Sequence, residues 1–221
     1  MIMSEKMYKI LKEEIINCEI APGTKITEED LVNRFHQSRT PVRGVIAKLV
    51  ADGLLEVRPK NGTFVSKINT DGIYDSMDIR IATEERIYVD ILGKITDEQF
   101  KVIDEILAEQ KKIIEMDSSI EKSRLFYDND NRFHEQFFAF ANKERLWAYL
   151  YECITPLNRA RIMANLRENE NVKEIYEAHL SMVEYLKKKD IKGLMGVFEH
   201  HLRNGFDGME SVCKKYPDYF K

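Results

Sequence analysis

Residues 27–65 read TEEDLVNRFHQSRTPVRGVIAKLVADGLLEVRPKNGTFV, and the fold class turns on this stretch. Thr27 before Glu28, Glu29 and Asp30 is a capped, acidic helix start, because the hydroxyl accepts a free amide and carboxylates suit the positive helix end. Leu31 and Phe35 lie on one side of that short helix. After a turn through His36 and Gln37, Thr40-Pro41 offers an N-cap followed by proline at the first helical position. The helix it opens packs Val42, Ile46, Leu49 and Val50 and ends at Asp52-Gly53. Leu54–Val57 and Thr63–Val65 then form two β-like runs around the tip Arg58-Pro59-Lys60-Asn61-Gly62. Upstream, Ser4 caps a helix with the stripe Tyr8, Leu11, Ile15 and Cys18, which Pro22-Gly23 breaks. Three helices and a hairpin in this order spell a winged helix-turn-helix.

The surrounding chain sets the limits. Its 221 residues suit one large domain or two modest ones. Eleven Phe and ten Tyr provide apolar area against disorder, and ten Gly with five Pro favour a helix-rich fold. Three scattered cysteines without a CxxC argue against a disulfide scaffold and for a reducing cytoplasm. The start MIMSEKMYKILKEE has no long apolar core, and no 18-residue apolar run occurs, so a signal peptide and a membrane span are not expected. The net charge of −4 is uneven. Residues 1–67 carry 11 Lys and Arg against 9 Asp and Glu, whereas the rest carry 23 against 29. A slightly basic head on an acidic body is compatible with local contact to DNA.

From about Asp71 the helical period dominates, with helices expected near 72–93, 96–116, 118–141, 143–165, 170–188, 190–206 and a weaker one near 208–215. Short connections favour antiparallel neighbours. The expected architecture is therefore mainly α: a winged helix-turn-helix over residues 1–66, a linker at 67–72, and an all-helical bundle of six or seven helices at 73–221. That bundle is assigned metal binding, effector binding and dimerisation.

In the head, Arg39 and Arg43 lie four apart and project from one face near a helix N-terminus, the part of a recognition helix that enters a major groove. Arginine bonds a guanine edge bidentately, while Ser38 and Thr40 suit phosphate or base contacts. Lys60 and Asn61, on a tip kinked at Gly62, are placed to reach an adjacent groove.

In the body, Asp130 and His134 are four apart and share the helical face of Phe137 and Ala141. His179 sits on the stripe Ile175, Tyr176, Met182, Val183 and Leu186, and His201 on Leu194, Val197, Phe198 and Leu202. The turn between their helices falls near Asp190, eleven residues after His179 and eleven before His201. In an antiparallel hairpin, residues equidistant from the turn lie at one level. Three inward imidazoles beside a carboxylate form a divalent-metal site, with zinc as first choice and nickel or manganese as alternatives. His200, among Gly193, Gly196 and Arg203, is expected to face solvent. Arg80 is read either as an anion clamp or as an intrahelical partner of Glu84. Arg159 and Arg161 are expected at the surface, with anion binding as their second reading.

Two resemblances follow from these residues. The segment Tyr8–Val65 resembles the DNA-binding domain of the GntR family of bacterial transcription regulators, on Ile20-Ala21-Pro22-Gly23, Glu28, Leu31, Ser38 through Arg43, Leu49, Gly53-Leu54 and Gly62 through Val65. It implies a homodimer on palindromic operator DNA, with contacts at positions matching Arg39, Thr40, Arg43 and Gly62. Two departures stand out. Glu29 replaces the arginine of the fatty-acid-responsive branch, and Gly44 replaces an acidic residue and loosens the helix slightly. The body, roughly Tyr74 to Leu202, resembles the FCD ligand-binding domain of the FadR subfamily, on Arg80 with Glu84, Asp130 through His134, His179 and His201. Metal-binding members of that domain place ligands at positions matching Asp130, His134, His179 and His201.

The expected function is a cytoplasmic, dimeric transcription regulator, not an enzyme, whose operator affinity answers to a small carboxylate bound near the metal. The alternatives are a metal-dependent enzyme with a DNA-targeting head, using Glu84, Asp128 or Glu135 as base, and a regulator with a purely structural metal site.

Overall fold

A computed structural model describes residues 3–117, 119–168, 172–207 and 209–221. The expected helix starts at 118, 170 and 208 fall outside that set. The chain divides into two compact units, Met1–Thr70 with Cys213–Lys221, and Asp71–Val212.

The first unit holds α1 (Met3–Ile16), β1 (Lys25–Ile26), α2 (Glu28–Phe35), α3 (Arg39–Ala51), β2 (Leu55–Arg58) and β3 (Gly62–Val65). Thr27 accepts the Asp30 amide at 3.1 Å and so caps α2. His36 closes that helix in the left-handed region, at φ 51°. The next helix begins earlier than expected. Ser38 is its N-cap, which places Pro41 third in the helix rather than first. The first four amides of a helix have no carbonyl to reach, so proline's missing N–H is harmless at either position. In α1 the buried stripe is Met7, Leu11, Ile15 and Ile16. Tyr8 sits at its edge, bonded to Asp52, and Cys18 lies beyond the helix end at φ 53°. Helix α3 buries Val42, Val45 and Leu49 rather than Ile46 and Val50.

The wing is a three-stranded antiparallel sheet of order β1-β3-β2. Leu55 pairs with Val65 and Val57 with Thr63, while Lys25 pairs with Phe64. Strand β1 has two residues, too few for alternation to mark it in the sequence. Residues 213–221, assigned to the body from sequence, group instead with this unit. The Tyr219 carbonyl accepts the Ile68 amide at 2.9 Å, and Lys221 exchanges bonds with Ile68 and Thr70. Ile68 and Phe220 are buried there, so part of the expected linker is packed chain.

The second unit is helical: α4 (Thr70–Ile91, from its second residue), α5 (Asp97–Ile114), α6 (Ile120–Phe140), α7 (Glu144–Cys153), α8 (Thr155–Glu168), α9 (Val172–Lys188), α10 (Ile191–Asp207) and the first part of α11 (Met209–Lys215), as far as Val212. The single helix expected over 143–165 is two. Pro156 cannot donate to the Glu152 carbonyl four residues back, and the Thr155 hydroxyl donates to it at 2.9 Å. Among the described residues this split adds one helix to those expected. A core of Tyr88, Phe126, Phe133, Phe137, Phe138 and Phe198 fixes the inner faces of α4, α6 and α10. No described helix is long and apolar enough to cross a membrane.

Candidate metal centre and DNA-reading face

Helix α6 presents Asp130 and His134 one turn apart, α9 presents His179 and α10 presents His201. All four are buried. Each offers one ligand atom, and those atoms lie within 4.8 Å of one another. The two histidines equidistant from Asp190 do share a level: their ring centroids are 4.7 Å apart. Phe133 stacks on the His179 ring at 4.0 Å, which holds its plane.

The outer nitrogens decide which imidazole atoms face inward. His134 Nδ1 lies 2.6 Å from Glu84 Oε2. A carboxylate only accepts, so Nδ1 carries the proton and Nε2 keeps its lone pair. His179 Nδ1 likewise donates to Gln110 Oε1 at 2.8 Å. Inside the cluster, His134 Nε2 is 3.3 Å from His201 Nε2, and His179 Nε2 is 3.5 Å from Asp130 Oδ1. Neither His179 Nε2 nor Asp130 Oδ1 has a hydrogen-bond partner. Two buried acceptors that face one another without a donor are unfavourable, and a cation among the four groups would satisfy them. Nitrogen and oxygen donors of this kind fit a first-row divalent ion.

Electrostatics keep Asp130, His179 and His201 in their ligating forms. Burial alone would raise Asp130, but Arg161, then His134, His179 and Arg80 outweigh it and hold the carboxyl well below its ordinary range. Arg161 Nη2 donates to Asp130 Oδ2 at 2.7 Å. For Glu84 burial is again opposed, by Arg80 and His134, and the result is about 2. Burial lowers His179 to about 3 and pushes His201 well below its usual value.

A pH dependence follows from those histidines. The native state keeps His179 neutral down to about 3, whereas the unfolded chain protonates near 6.5. Between those values the unfolded state binds more protons, so this stability is complete above 6.5 and falls with the pH. In chelator, the urea midpoint should be level from pH 8 to 7 and decline steadily from 6.5 to 4. A midpoint that rises over the lower range contradicts the burial of neutral imidazoles.

The arginines depart from expectation. Arg159 and Arg161 are buried, not exposed. Residues 157–163 of α8 are buried without a break, so no polar face was left for them and Asp130 supplies the charge for Arg161. Of the two readings of Arg80, the structure shows the pairing with Glu84. The side chain is fully buried and donates from Nε to Glu84 Oε1 at 2.5 Å, while its two terminal amino groups have no partner. Arg80 lines a small cavity with Arg161, His201, Met77, Leu157, Ile175 and Leu202. His200 is exposed, as its helical phase requires. Sequence reasoning missed Gln110 as the partner of His179, although a glutamine on the stripe Ile103, Ile106, Leu107 and Ile113 was the available signal.

On the head, Ser38, Arg39, Thr40 and Arg43 are exposed at and after the start of α3. Lys60, Asn61 and Gly62 are exposed at the wing tip, with Lys60 at φ 65° and Gly62 at φ 119°. Glycine serves the backbone conformation at Gly62, since a side chain rarely adopts that φ; the nearby Lys25 Cε is on a flexible side chain that can move aside. Arg43 donates from Nε to both Glu28 oxygens, at 2.8 and 2.9 Å.

Residues 3–65 match the family described as bacterial regulatory proteins, gntR family, and residues 75–204 match the FCD domain. The chain belongs to the GntR family. This GntR regulator is 26% identical over 220 residues to the HTH-type transcriptional repressor RspR of Escherichia coli (strain K12), covering 99% of this chain and 93% of that one. It is 21% identical over 199 residues to the Nta operon transcriptional regulator of Aminobacter aminovorans, with 90% of each chain covered. The fold is shared with E. coli McbR/YncC at a TM-score of 0.75 and 16% identity, over 98% of this chain and 99% of that one. The protein is thus a DNA-binding transcription regulator of GntR and FCD type.

Proposed function

We propose that this GntR regulator works in the cytoplasm as a homodimer on palindromic operator DNA, and that its FCD unit holds one divalent ion on Asp130, His134, His179 and His201. Ser38, Arg39, Thr40, Arg43, Lys60, Asn61 and Gly62 form the DNA-reading surface of each head. A small carboxylate effector binds beside the ion, against Arg80 and Arg161, with Arg159 as a further candidate contact. The observation that carries the reading is the inward convergence of the imidazole nitrogens and Asp130 Oδ1, with His134 and His179 fixed from outside by Glu84 and Gln110. Such outer partners set the tautomer and raise ligand basicity. When bound, the ion supplies positive charge with coordination positions that a carboxylate oxygen completes. Arg80 contributes two unpartnered amino groups, and a buried guanidinium pairs strongly with an anion.

The enzyme alternative is the weaker reading. Glu84, the buried candidate base, is held at both oxygens by Arg80 and His134, and Asp128 and Glu135 are exposed.

The test is elemental analysis of full-length protein, followed by thermal melts in chelator and after adding zinc, nickel or manganese. About one ion per chain and a clear metal-dependent rise in melting temperature are expected. A screen of small carboxylates on the zinc-loaded protein should then find ligands that raise it further and change operator affinity. Protein that neither carries nor is stabilised by any of the three metals refutes the centre. Metal stabilisation with no carboxylate response leaves the ion a structural role.

A further inference from the structure

We infer that Glu28 is a positioning residue for DNA recognition: it orients Arg43 so that the terminal amino groups, and not Nε, are presented to a base edge. The inference rests on the reading of Arg43 as a base contact. Glu28 is the first residue of α2, held there by the Thr27 cap, and Arg43 lies fifteen residues on, in α3. The carboxylate grips Nε with both oxygens, at 2.8 and 2.9 Å.

As a stabilising contact this ion pair is weak, because Arg43 is 64% and Glu28 36% exposed. Its consequence is directional. A guanidinium is planar, so fixing Nε fixes the plane and heading of the two amino groups. A guanine edge needs two donors at a set spacing, whereas a phosphate takes a charge from many directions. With Nε occupied, Arg43 keeps the fork that matches guanine. The Glu28 charge beside it also repels phosphate oxygens, which compete for the same side chain. Specificity is the difference between these two affinities, and Glu28 acts on both in opposite senses.

Glu29 provides the comparison. It lies in the same turn, is exposed and carries the same charge, but is not the residue paired with Arg43. Removing its charge therefore reports the plain electrostatic effect.

The experiment uses full-length protein and a pool of randomised duplexes to obtain the selected sequence, with a scrambled duplex as the non-specific probe. Arg43→Ala first identifies the base position that it reads, by loss of preference there. Glu28→Gln should lower affinity for the selected duplex and raise affinity for the scrambled one, compressing discrimination at that position roughly tenfold. Glu29→Gln should raise both affinities alike and leave their ratio unchanged. Thermal melts check that each variant folds. If Glu28→Gln behaves as Glu29→Gln does, or weakens both probes equally together with a lower melting temperature, the inference is overturned. If Arg43→Ala leaves every base preference intact, the reading of Arg43 fails and the inference fails with it.

Discussion

His179→Ala and His201→Ala should each strip the divalent ion from the purified protein, while His200→Ala retains it. The contrast rests on one residue of helical phase. His200 and His201 are adjacent on α10, about 100° apart around the helix axis. His201 is buried with Nε2 3.3 Å from His134 Nε2, and His200 faces solvent. Loss of one of four donors leaves a three-donor site, and holding metal far above its dissociation constant is worth about 4 kcal/mol. For a body of this size that corresponds to a fall of roughly 10 °C in the metal-loaded melt. In chelator only the metal-dependent part of the loss disappears, because the buried His201 imidazole still packs in the apo fold with Nε2 3.3 Å from His134 Nε2. His201→Ala should therefore lose the metal-dependent part of its stability deficit, and keep the cost of the emptied space, once metal is removed from both proteins. Elemental analysis that finds metal kept without His201 but lost without His200 would overturn the phasing.

The features legible in the sequence were those with a period or a symmetry to carry them. Asp130 and His134 announced a shared face by their spacing, and the equal separation of His179 and His201 from Asp190 placed them at one level. The head was readable because turn residues and caps punctuate it at short intervals. Where these signals fail, the physical reason can be named. Residues 157–163 of α8 are all buried, so that stretch has no exposed stripe, and Arg161 in it looks like a surface residue until Asp130 is placed beside it. The α7–α8 break depends on one proline whose unmatched carbonyl finds a threonine hydroxyl. The docking of residues 213–221 against Ile68 joins segments about 150 residues apart, which no local pattern encodes. Glu84 was visible as a partner of Arg80, but its second bond, to His134, spans fifty residues.

Arg161→Met should destabilise the metal-free protein by about 3–5 kcal/mol, and by clearly less once zinc is bound. Methionine preserves most of the buried aliphatic volume, so the dominant loss is the charge. Asp130 has no exposed surface, and Arg161 is the strongest of the groups that keep it ionised against burial. Without that guanidinium the carboxylate must stay buried and undercompensated or take up a proton. A bound divalent ion contributes a second positive charge at the same carboxylate, which is why zinc should shrink the deficit. By linkage, zinc should then raise the melting temperature of Arg161→Met more than that of the wild type. The double variant Asp130→Asn with Arg161→Met supplies the control, since removing both charges avoids an orphaned one. In chelator it should be more stable than Arg161→Met alone, which is the signature of a coupled pair. Urea midpoints of the wild type, Arg161→Met, Asp130→Asn and the double variant, with and without zinc, measure each term. An Arg161→Met deficit that is the same with and without zinc, and unrelieved by Asp130→Asn, would show that Arg161 acts through packing and not through the charge of Asp130.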